Sequence, residues 1–347
     1  MNSFPTIPKP SLNKLVINDQ IQDVDTSLTV YLKKYYRKEF FYFFAFFAIW
    51  EIIVIYFFII NFTGLNPAID DTIQSFLFFT ALPLLFIALS YAWMRKKIRH
   101  QFYRQFAIAN NFTYKERGWL PNKSGSIFKI GRNTTMQDII EGEINKTPLS
   151  LFNYSYTVGS GKSSHTYQKT ILEIDFKTPV PPLLLLVDKH WFGDNISNNN
   201  LKNVSKITLD EVFEKHFDLF SEKKFEIEAL QIFDPDFLNS IYEKYKFFSL
   251  DFSETKLYIY ASKIITNKIE LDLLFQFADI ISKKFLNKLP EMRGSILAME
   301  EAFTKTETIT VPKNMFHKYN IPVLIFIFIL GSFLILSLIS IFIKILS

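Results

Sequence analysis

Hydrophobic residues form three long blocks along the chain, and these blocks hold almost no charged residues. They cover residues 40–62, 73–94 and 321–345. A helix needs about 20 apolar residues to cross a bilayer, so each block is long enough to do so. The first block starts at residue 40, which is too late for a cleavable signal peptide. The pattern predicts three α-helical transmembrane spans.

Basic residues beside the first two blocks predict their direction. Lysines and arginines precede the first block and follow the second, whereas the short connection between them holds Asp70 and Asp71. Because basic flanks stay in the cytoplasm, we predict a multi-pass protein of the cell (plasma or inner) membrane. Its body then faces the cytoplasm. The expected partners include the lipid bilayer and, at the basic flanks, anionic lipid.

Two amphipathic helices are predicted beside these blocks. Apolar residues recur at steps of three and four from Ile17 to Tyr35, and again from Ile98 to Ala109. Such spacing is typical of a helix with one apolar face. The two helices either pack on each other or form a seam between the subunits of a homo-oligomer.

Strand-like patterns dominate the chain between the second and third blocks. They occur at Ser126–Ile130, Ile139–Ile144, Pro148–Val158, His165–Phe176, Leu183–Val187, Phe225–Leu230 and, as a hairpin, from Phe248 to Ile259. The pair Asn145-Lys146 is typical of a turn between two strands. The continuous apolar run Leu183–Val187 favours a strand that is buried on both faces.

Helix signals accompany the predicted strands. Asp234 before Pro235 predicts a helix start, because Asp caps free N–H groups and Pro fits the first helical position. A longer helix is predicted over Ile269–Leu289, with Ile280 among its inward residues. The predicted fold class is therefore an α+β soluble body anchored by transmembrane helices, with three α-helical spans. The predicted parts are a tail and amphipathic helix (1–39), a transmembrane hairpin (40–94, with spans 40–62 and 73–94), a helical extension (95–117), the α+β body (118–290), a linker (291–320) and the third span (321–345).

Five short segments follow one another in a recognisable order. They are Phe106-Ala107-Ile108-Ala109, Phe213-Glu214-Lys215-His216-Phe217, Phe225-Glu226-Ile227, Asp234-Pro235 and Leu257-Tyr258-Ile259-Tyr260. With the hairpin before them, they resemble a bacterial family of uncharacterised membrane proteins that is catalogued as a domain of unknown function. The resemblance covers roughly Lys33 to Lys263. It implies two N-terminal spans and a cytosolic α/β region, and it implies no catalytic residues.

Composition excludes several kinds of site. The chain has no cysteine, which excludes disulfides, thiolate metal sites and a cysteine nucleophile. Its five histidines show no metal-ligand spacing, so no metal or other cofactor is predicted. The net charge is only +5 and the charges of the body are mixed, so we expect no nucleic-acid binding.

The segment Gly159, Ser160, Gly161 and Lys162 has part of the pattern of a phosphate-binding loop. That loop requires a glycine five residues before the second glycine, and Tyr156 stands there. It also requires a following helix, whereas a strand pattern follows here. We interpret the segment as a hairpin tip and as a candidate partner-contact loop.

Acidic residues provide the other candidates. Glu51 lies near the middle of the first block, where an ionisable group is costly and indicates a function. Its carboxyl could bond within the neighbouring span, join subunits or pass ions. Glu141 and Glu143 share one face of a predicted strand, which suits acid–base chemistry, cation binding or simply a solvated face.

Three functions remain open at this point. The first is a membrane-anchored, non-enzymatic binding or scaffold protein, which presents its body at the inner face of the membrane to an unknown protein partner. The second is an oligomeric transport or channel component that uses Glu51. The third is a membrane-bound enzyme with an unrecognised site, for which Glu141 and His165 are candidates. We expect a binding role before an enzymatic one.

Overall fold

The structure is a computed structural model, and it describes most of the predicted body. The described residues are 92–118, 123–159, 163–187 and 204–289, together with 11, 12, 15, 45, 48–56, 59 and 89. The chain divides into two compact units, Met1–Phe303 and Thr304–Ser347. All described residues belong to the first unit, and the second lies outside them.

In the described part of the chain, nine strands form one antiparallel sheet. The strands are β1 Thr113–Gly118, β2 Arg132–Ile144, β3 Thr147–Val158, β4 His165–Asp175, β5 Leu183–Val187, β6 Val204–Ile207, β7 Phe217–Glu222, β8 Phe248–Ser253 and β9 Lys256–Ala261. Their order across the sheet is β1-β2-β3-β4-β9-β8-β5-β7-β6. The β8–β9 hairpin therefore lies between β4 and β5, although it follows β7 in the chain.

Five α-helical stretches accompany the sheet in residues 92–289, in addition to the helical residues 48–56. They are α1 (92–109), α2 Glu211–Glu214, α3 Glu226–Ile232, α4 Pro235–Ser240 and α5 Lys268–Lys288. A π-helical turn, Ile241–Tyr245, extends α4. Short 3-10 turns lie at Ser126–Lys129 and Lys223–Phe225.

One face of the sheet is covered by helices. Buried residues of α1, α3, α4 and α5 form a single hydrophobic cluster with this face. Aromatic rings pack within this cluster. Phe106 of α1 stacks on Phe275 of α5 with ring centroids 5.4 Å apart, and Phe176, just after β4, stacks on Phe285 of α5 at 5.2 Å. The helix periodicity of α1 and α5 thus serves to bury one side of each helix against the sheet.

The opposite face, called here the aromatic face, carries a second cluster. Side chains alternate along a strand, so Phe152, Tyr154 and Tyr156 of β3 all lie on this face. Residues 123–130, called here the cover segment, lie over part of it. The ring of Phe128 in this segment packs 5.1 Å from Tyr154 and 5.4 Å from Tyr258, measured between ring centroids.

Several predicted elements are confirmed. Asn145 and Lys146 connect β2 to β3, and both have positive φ (50° and 65°), as a two-residue hairpin turn requires. The run Leu183–Val187 is a strand in which every residue is buried. The Asp234 side chain accepts a hydrogen bond from the backbone N–H of Phe237 at 2.8 Å and caps α4.

Other predicted elements are wrong. Ser126–Ile130 is not a strand, since Ser126–Lys129 forms a 3-10 turn. Phe225–Leu230 is not a strand either, because α3 begins at Glu226 and buries Ala229 and Ile232 at helical spacing. In α5, Ile280 is exposed rather than inward.

The predicted fold class and its transmembrane assignment are corrected by the structure. Among the described residues, no helix is both long enough and apolar enough to cross a membrane. The two longest described helices, α1 and α5, carry charged residues along their length, and such residues are costly within a bilayer. Of the predicted spans, only residues 45, 48–56, 59, 89 and 92–94 are described. The rest of 40–62 and 73–94, and all of 321–345, lie outside the described residues.

Candidate functional site

An open groove of about 400 Å³ lies on the aromatic face where β2, β3 and β4 run side by side. Its volume is in the range of ligand-binding pockets. The described lining residues include four carboxylates and no basic side chain. They are Glu141, Gly142, Glu143, Pro148, Leu149, Ser150, Glu173 and Asp175.

Strand register brings these residues together. Ser150 of β3 lies directly opposite Glu141 of β2 on one side and Glu173 of β4 on the other. Residues that lie directly opposite in antiparallel strands point to the same face, with their Cβ atoms about 5 Å apart. Glu143 and Pro148 form the next pair along β2 and β3. The tight turn between β2 and β3 therefore fixes the pairing of these two strands, and this pairing places the lining residues side by side in the groove.

The four carboxylates differ in how they are held. Glu173 is buried and forms ion pairs with Lys123 and with Lys256, the latter at 2.8 Å. Glu141 pairs at 2.8 Å with Lys115, and both side chains are about half exposed, so this pair contributes little to stability. Glu143 is exposed, and its side chain has no ion pair or hydrogen bond with another described residue.

Asp175 completes the acidic lining at the end of β4. Its Oδ1 accepts hydrogen bonds from the Thr255 hydroxyl at 2.9 Å and from the Lys177 backbone N–H at 2.8 Å. Both donors are neutral groups of the protein. The carboxylate of Asp175 therefore adds negative charge to the groove that these two contacts do not cancel.

The hydroxyl of Ser150, at the floor of the groove, forms no hydrogen bond with another described residue. Its side chain is 9% exposed, and its Oγ is buried without a hydrogen-bond partner among the described residues. A buried hydroxyl that bonds nothing costs about 1–3 kcal/mol. Ser150 therefore offers a free donor and acceptor between two carboxylates.

Polar contacts fasten the cover segment beside the groove. Buried Asp251 accepts hydrogen bonds from the Tyr260 hydroxyl at 2.6 Å and from the Ser126 backbone N–H at 2.5 Å. Burial raises the pKa of this carboxyl above its usual value. Burial also lowers the pKa of Lys169 on the same face to about 8. The aromatic face thus combines rings with charged groups that are only partly solvated.

A second polar cluster lies on the helix-covered face and joins α1 to the sheet. Asp138 is fully buried and accepts hydrogen bonds from Arg99 Nε at 2.9 Å, Tyr114 Oη at 3.0 Å and Asn153 Nδ2 at 3.0 Å. His100 also contacts the Asp138 carboxylate through Nδ1. These contacts hold secondary structure elements together, which accounts for His100 without a catalytic role.

The residues singled out from the sequence are only partly described. Glu51 lies in the helical residues 48–56 and is partly exposed, but much of the neighbouring predicted span lies outside the described residues. Gly159 ends the β3 side of the hairpin with a φ of 85°, which suits glycine. Ser160, Gly161 and Lys162 lie outside the described residues. The roles assigned to Glu51 and to this loop stay predictions.

The other candidates predicted from the sequence do not all lie together in the structure. Glu141 and Glu143 both line the groove, whereas His165 pairs with Val158 at the opposite end of the β3–β4 ladder from Ser150. No group of three or more metal-ligating side chains occurs in the part of the chain that the structure describes. The groove residues Ser150, Glu173 and Asp175 were not predicted from the sequence, although strand alternation places Glu173 and Asp175 on one face of β4.

Comparisons with known proteins add little to this geometry. No known family matches the chain, and no curated protein matches it. Among solved structures, the chain is similar to the crystal structure of the mycobacterial trehalose monomycolate transport factor A, TtfA. The identity is 11%, the match covers 55% of this chain and 94% of that chain, and the TM-score is 0.39. A likeness this distant carries no argument about function. The resemblance to the bacterial family of uncharacterised membrane proteins stays a prediction.

Proposed function

We propose that this chain is a non-enzymatic binding or scaffold module that holds a segment of a protein partner in the groove of its aromatic face. The observation that carries the proposal is the groove itself, which is open, lined by four carboxylates and about 400 Å³ in volume. The other face of the sheet is already occupied by α1, α3, α4 and α5.

The strands beneath the groove suit a binding role because they hold its side chains rigidly. The β3–β4 ladder runs without a register shift from Leu149 to Val158, and β9 continues the sheet beyond β4. Sites built on regular elements are positioned more accurately than sites built on loops. The groove can therefore present its charges in a fixed pattern before a partner arrives.

A photo-cross-linking residue placed in the full chain tests this proposal in cells. Thr113 is exposed on β1 and lies directly opposite Glu141, so a probe there reaches the rim of the groove. Ile227 is 71% exposed on α3, on the helix-covered side, and provides the matched control site. We expect one discrete protein adduct from Thr113 and no such adduct from Ile227.

Identification of that adduct completes the test. Mass spectrometry gives the partner and its cross-linked residue, and the purified partner must then bind the purified full chain. Equal adducts from both positions, or none from Thr113, contradict the proposal that the aromatic face binds a protein.

A further inference from the structure

The groove has more negative charge than the described residues neutralise. Glu143 has no ion pair with a described residue, and Asp175 is bonded by a hydroxyl and a backbone N–H. The lysines that contact Glu141 and Glu173 lie outside the lining. An electrostatically complementary partner must therefore bring positive charge to this surface.

A separate observation, made on Ser150, also indicates that a positively charged group binds in the groove. Its buried Oγ has no hydrogen-bond partner among the described residues, although it lies in register between Glu141 and Glu173. A hydroxyl has one donor and two acceptor positions, whereas an ammonium or guanidinium group has only donors. The Ser150 oxygen can accept from such a cation while its own hydrogen is donated to a neighbouring carboxylate.

We infer that the Ser150 floor of the groove is a subsite for the cationic side chain of a lysine or arginine of the protein partner. This inference rests on the proposed function, because it names what the partner inserts. The cation is bound by Glu143 and Glu141 at the rim and by Ser150 below them. Pro148 lines the groove and lies opposite Glu143, so it is placed to contact the aliphatic stem of the inserted side chain.

The contacts of Glu141 allow an incoming cation to replace its present ion-pair partner. Glu141 is about half exposed and, among the described residues, is paired with Lys115 alone, which is about half exposed as well. Such a pair is worth about 0–1 kcal/mol, so Glu141 can release Lys115 for an incoming cation at small cost. Because Glu141 lies directly opposite Ser150, we expect its movement to expose the Ser150 hydroxyl. Glu173 stays in place, because it is buried and paired with two lysines.

A peptide titration of the purified full chain tests this subsite. The probe is a fluorescent tri-lysine peptide, and its control is the same peptide with acetylated lysines, which lack the charge. We expect binding of the charged peptide only. Glu143→Gln should weaken it about tenfold, the expected loss of one charge-assisted hydrogen bond. Glu226→Gln changes an exposed carboxylate at the start of α3 and should leave the affinity unchanged.

Ser150→Ala separates binding from folding. The variant should bind tri-lysine about tenfold more weakly, because the cation loses an acceptor. Its thermal midpoint should rise, because the change removes a buried hydroxyl without a partner. Equal binding of the acetylated peptide, or wild-type affinity in Ser150→Ala, would overturn the inference.

The two proposals can fail separately. If the Thr113 probe yields its site-specific adduct but tri-lysine does not bind, the surface binds a partner of other chemistry and only the subsite is wrong. If the charged peptide binds while neither probe position yields an adduct, the subsite takes cations and the protein-binding role is wrong. If both experiments are negative, both proposals are wrong.

Discussion

At the scale of single residues, burial decides the behaviour of Asp251. The hydrogen bonds that Asp251 accepts from the Tyr260 hydroxyl and the Ser126 backbone N–H both end on Oδ2. Burial disfavours the charged form and raises the pKa of the carboxyl above 3.8. The folded protein therefore binds more protons than the unfolded chain at pH values between 3.8 and the raised pKa. The contribution of Asp251 to stability is fully present below pH 3.8 and is lost as the pH rises through the raised pKa.

Asp251→Asn should remove this pH dependence. An amide oxygen in the place of Oδ2 keeps both hydrogen bonds, and the variant cannot ionise. Its stability relative to wild type should therefore increase by up to about 1.4 kcal/mol per pH unit within the affected range. Urea unfolding at pH values from about 4 to 8 measures the difference. Asp272→Asn is the control, since Asp272 is exposed on α5. A curve for Asp251→Asn parallel to that of wild type would contradict the assignment.

At the scale of elements, one buried carboxylate joins α1 to three strands. Asp138 lies on β2 with a φ of 52°, at a register shift between Gln137 and Ile140. The irregularity turns its side chain toward α1, where Arg99 meets it at 2.9 Å. Tyr114 of β1 and Asn153 of β3 donate to the same carboxylate. The hydrogen bonds of this cluster therefore hold α1 against the edge of the sheet.

Asp138→Asn should loosen α1 from the sheet. Asn tolerates positive φ, so the change tests charge and hydrogen bonding rather than backbone strain. The loss of the negative charge leaves Arg99 without its ion pair in a mostly buried site. We expect the free energy of unfolding to fall by about 3–5 kcal/mol, the range for a broken buried ion pair, as measured by urea denaturation.

A surface ion pair provides the matched control for this change. Lys115→Gln breaks the exposed pair with Glu141 between β1 and β2, and should cost under about 1 kcal/mol. Similar losses in both variants would show that Asp138 acts as an ordinary surface charge.

At the scale of the whole molecule, two hydrophobic clusters share one sheet. The larger lies between the sheet and the helices, and the smaller lies on the aromatic face beneath the cover segment. Adjacent residues of β3 contribute to opposite clusters, as Leu151 and Phe152 show. Neither cluster can lose its packing without disturbing the strands that carry the other, so the body should unfold in one step.

Phe128→Ala and Phe285→Ala test this coupling, because each truncates a ring of one cluster. Phe128 packs on Tyr154 and Tyr258 on the aromatic face, and Phe285 packs on Phe176 on the helix side. Phe285→Ala should lose about 3 kcal/mol or more, because the ring is fully buried. Phe128→Ala should lose less, because its ring is only partly buried. Far-UV and near-UV circular dichroism should report one coincident transition in both. An early loss of the tyrosine signal in Phe128→Ala alone would mean that the two faces unfold separately.

Features with a local physical cause could be predicted from the sequence. Asn145-Lys146 predicts a turn because asparagine is typical of turns and tolerates the positive φ that the structure shows there, and Asp234 predicts a cap because its side chain reaches an N–H three residues ahead. The hydrophobic run Leu183–Val187 predicts a buried strand. For the turn and the cap, the contact that decides the conformation lies within a few residues. For the strand, the unbroken run of apolar residues is itself the signal, although its pairing with β7 and β8 is long-range. The assignment of Phe225–Leu230 as a strand was wrong because apolar and acidic residues alternate there over too few positions to separate a strand pattern from a helix pattern.

The candidate site could not be predicted from the sequence, because it depends on contacts between distant strands. Glu141 and Glu173 are far apart in the chain and come together through Ser150, which pairs with both. Alternation predicts which residues of one strand share a face, but it contains no information about which strand lies beside it. That choice, like the insertion of the β8–β9 hairpin between β4 and β5, depends on packing summed over the whole sheet. The groove is therefore a product of register, which no short segment of the sequence specifies.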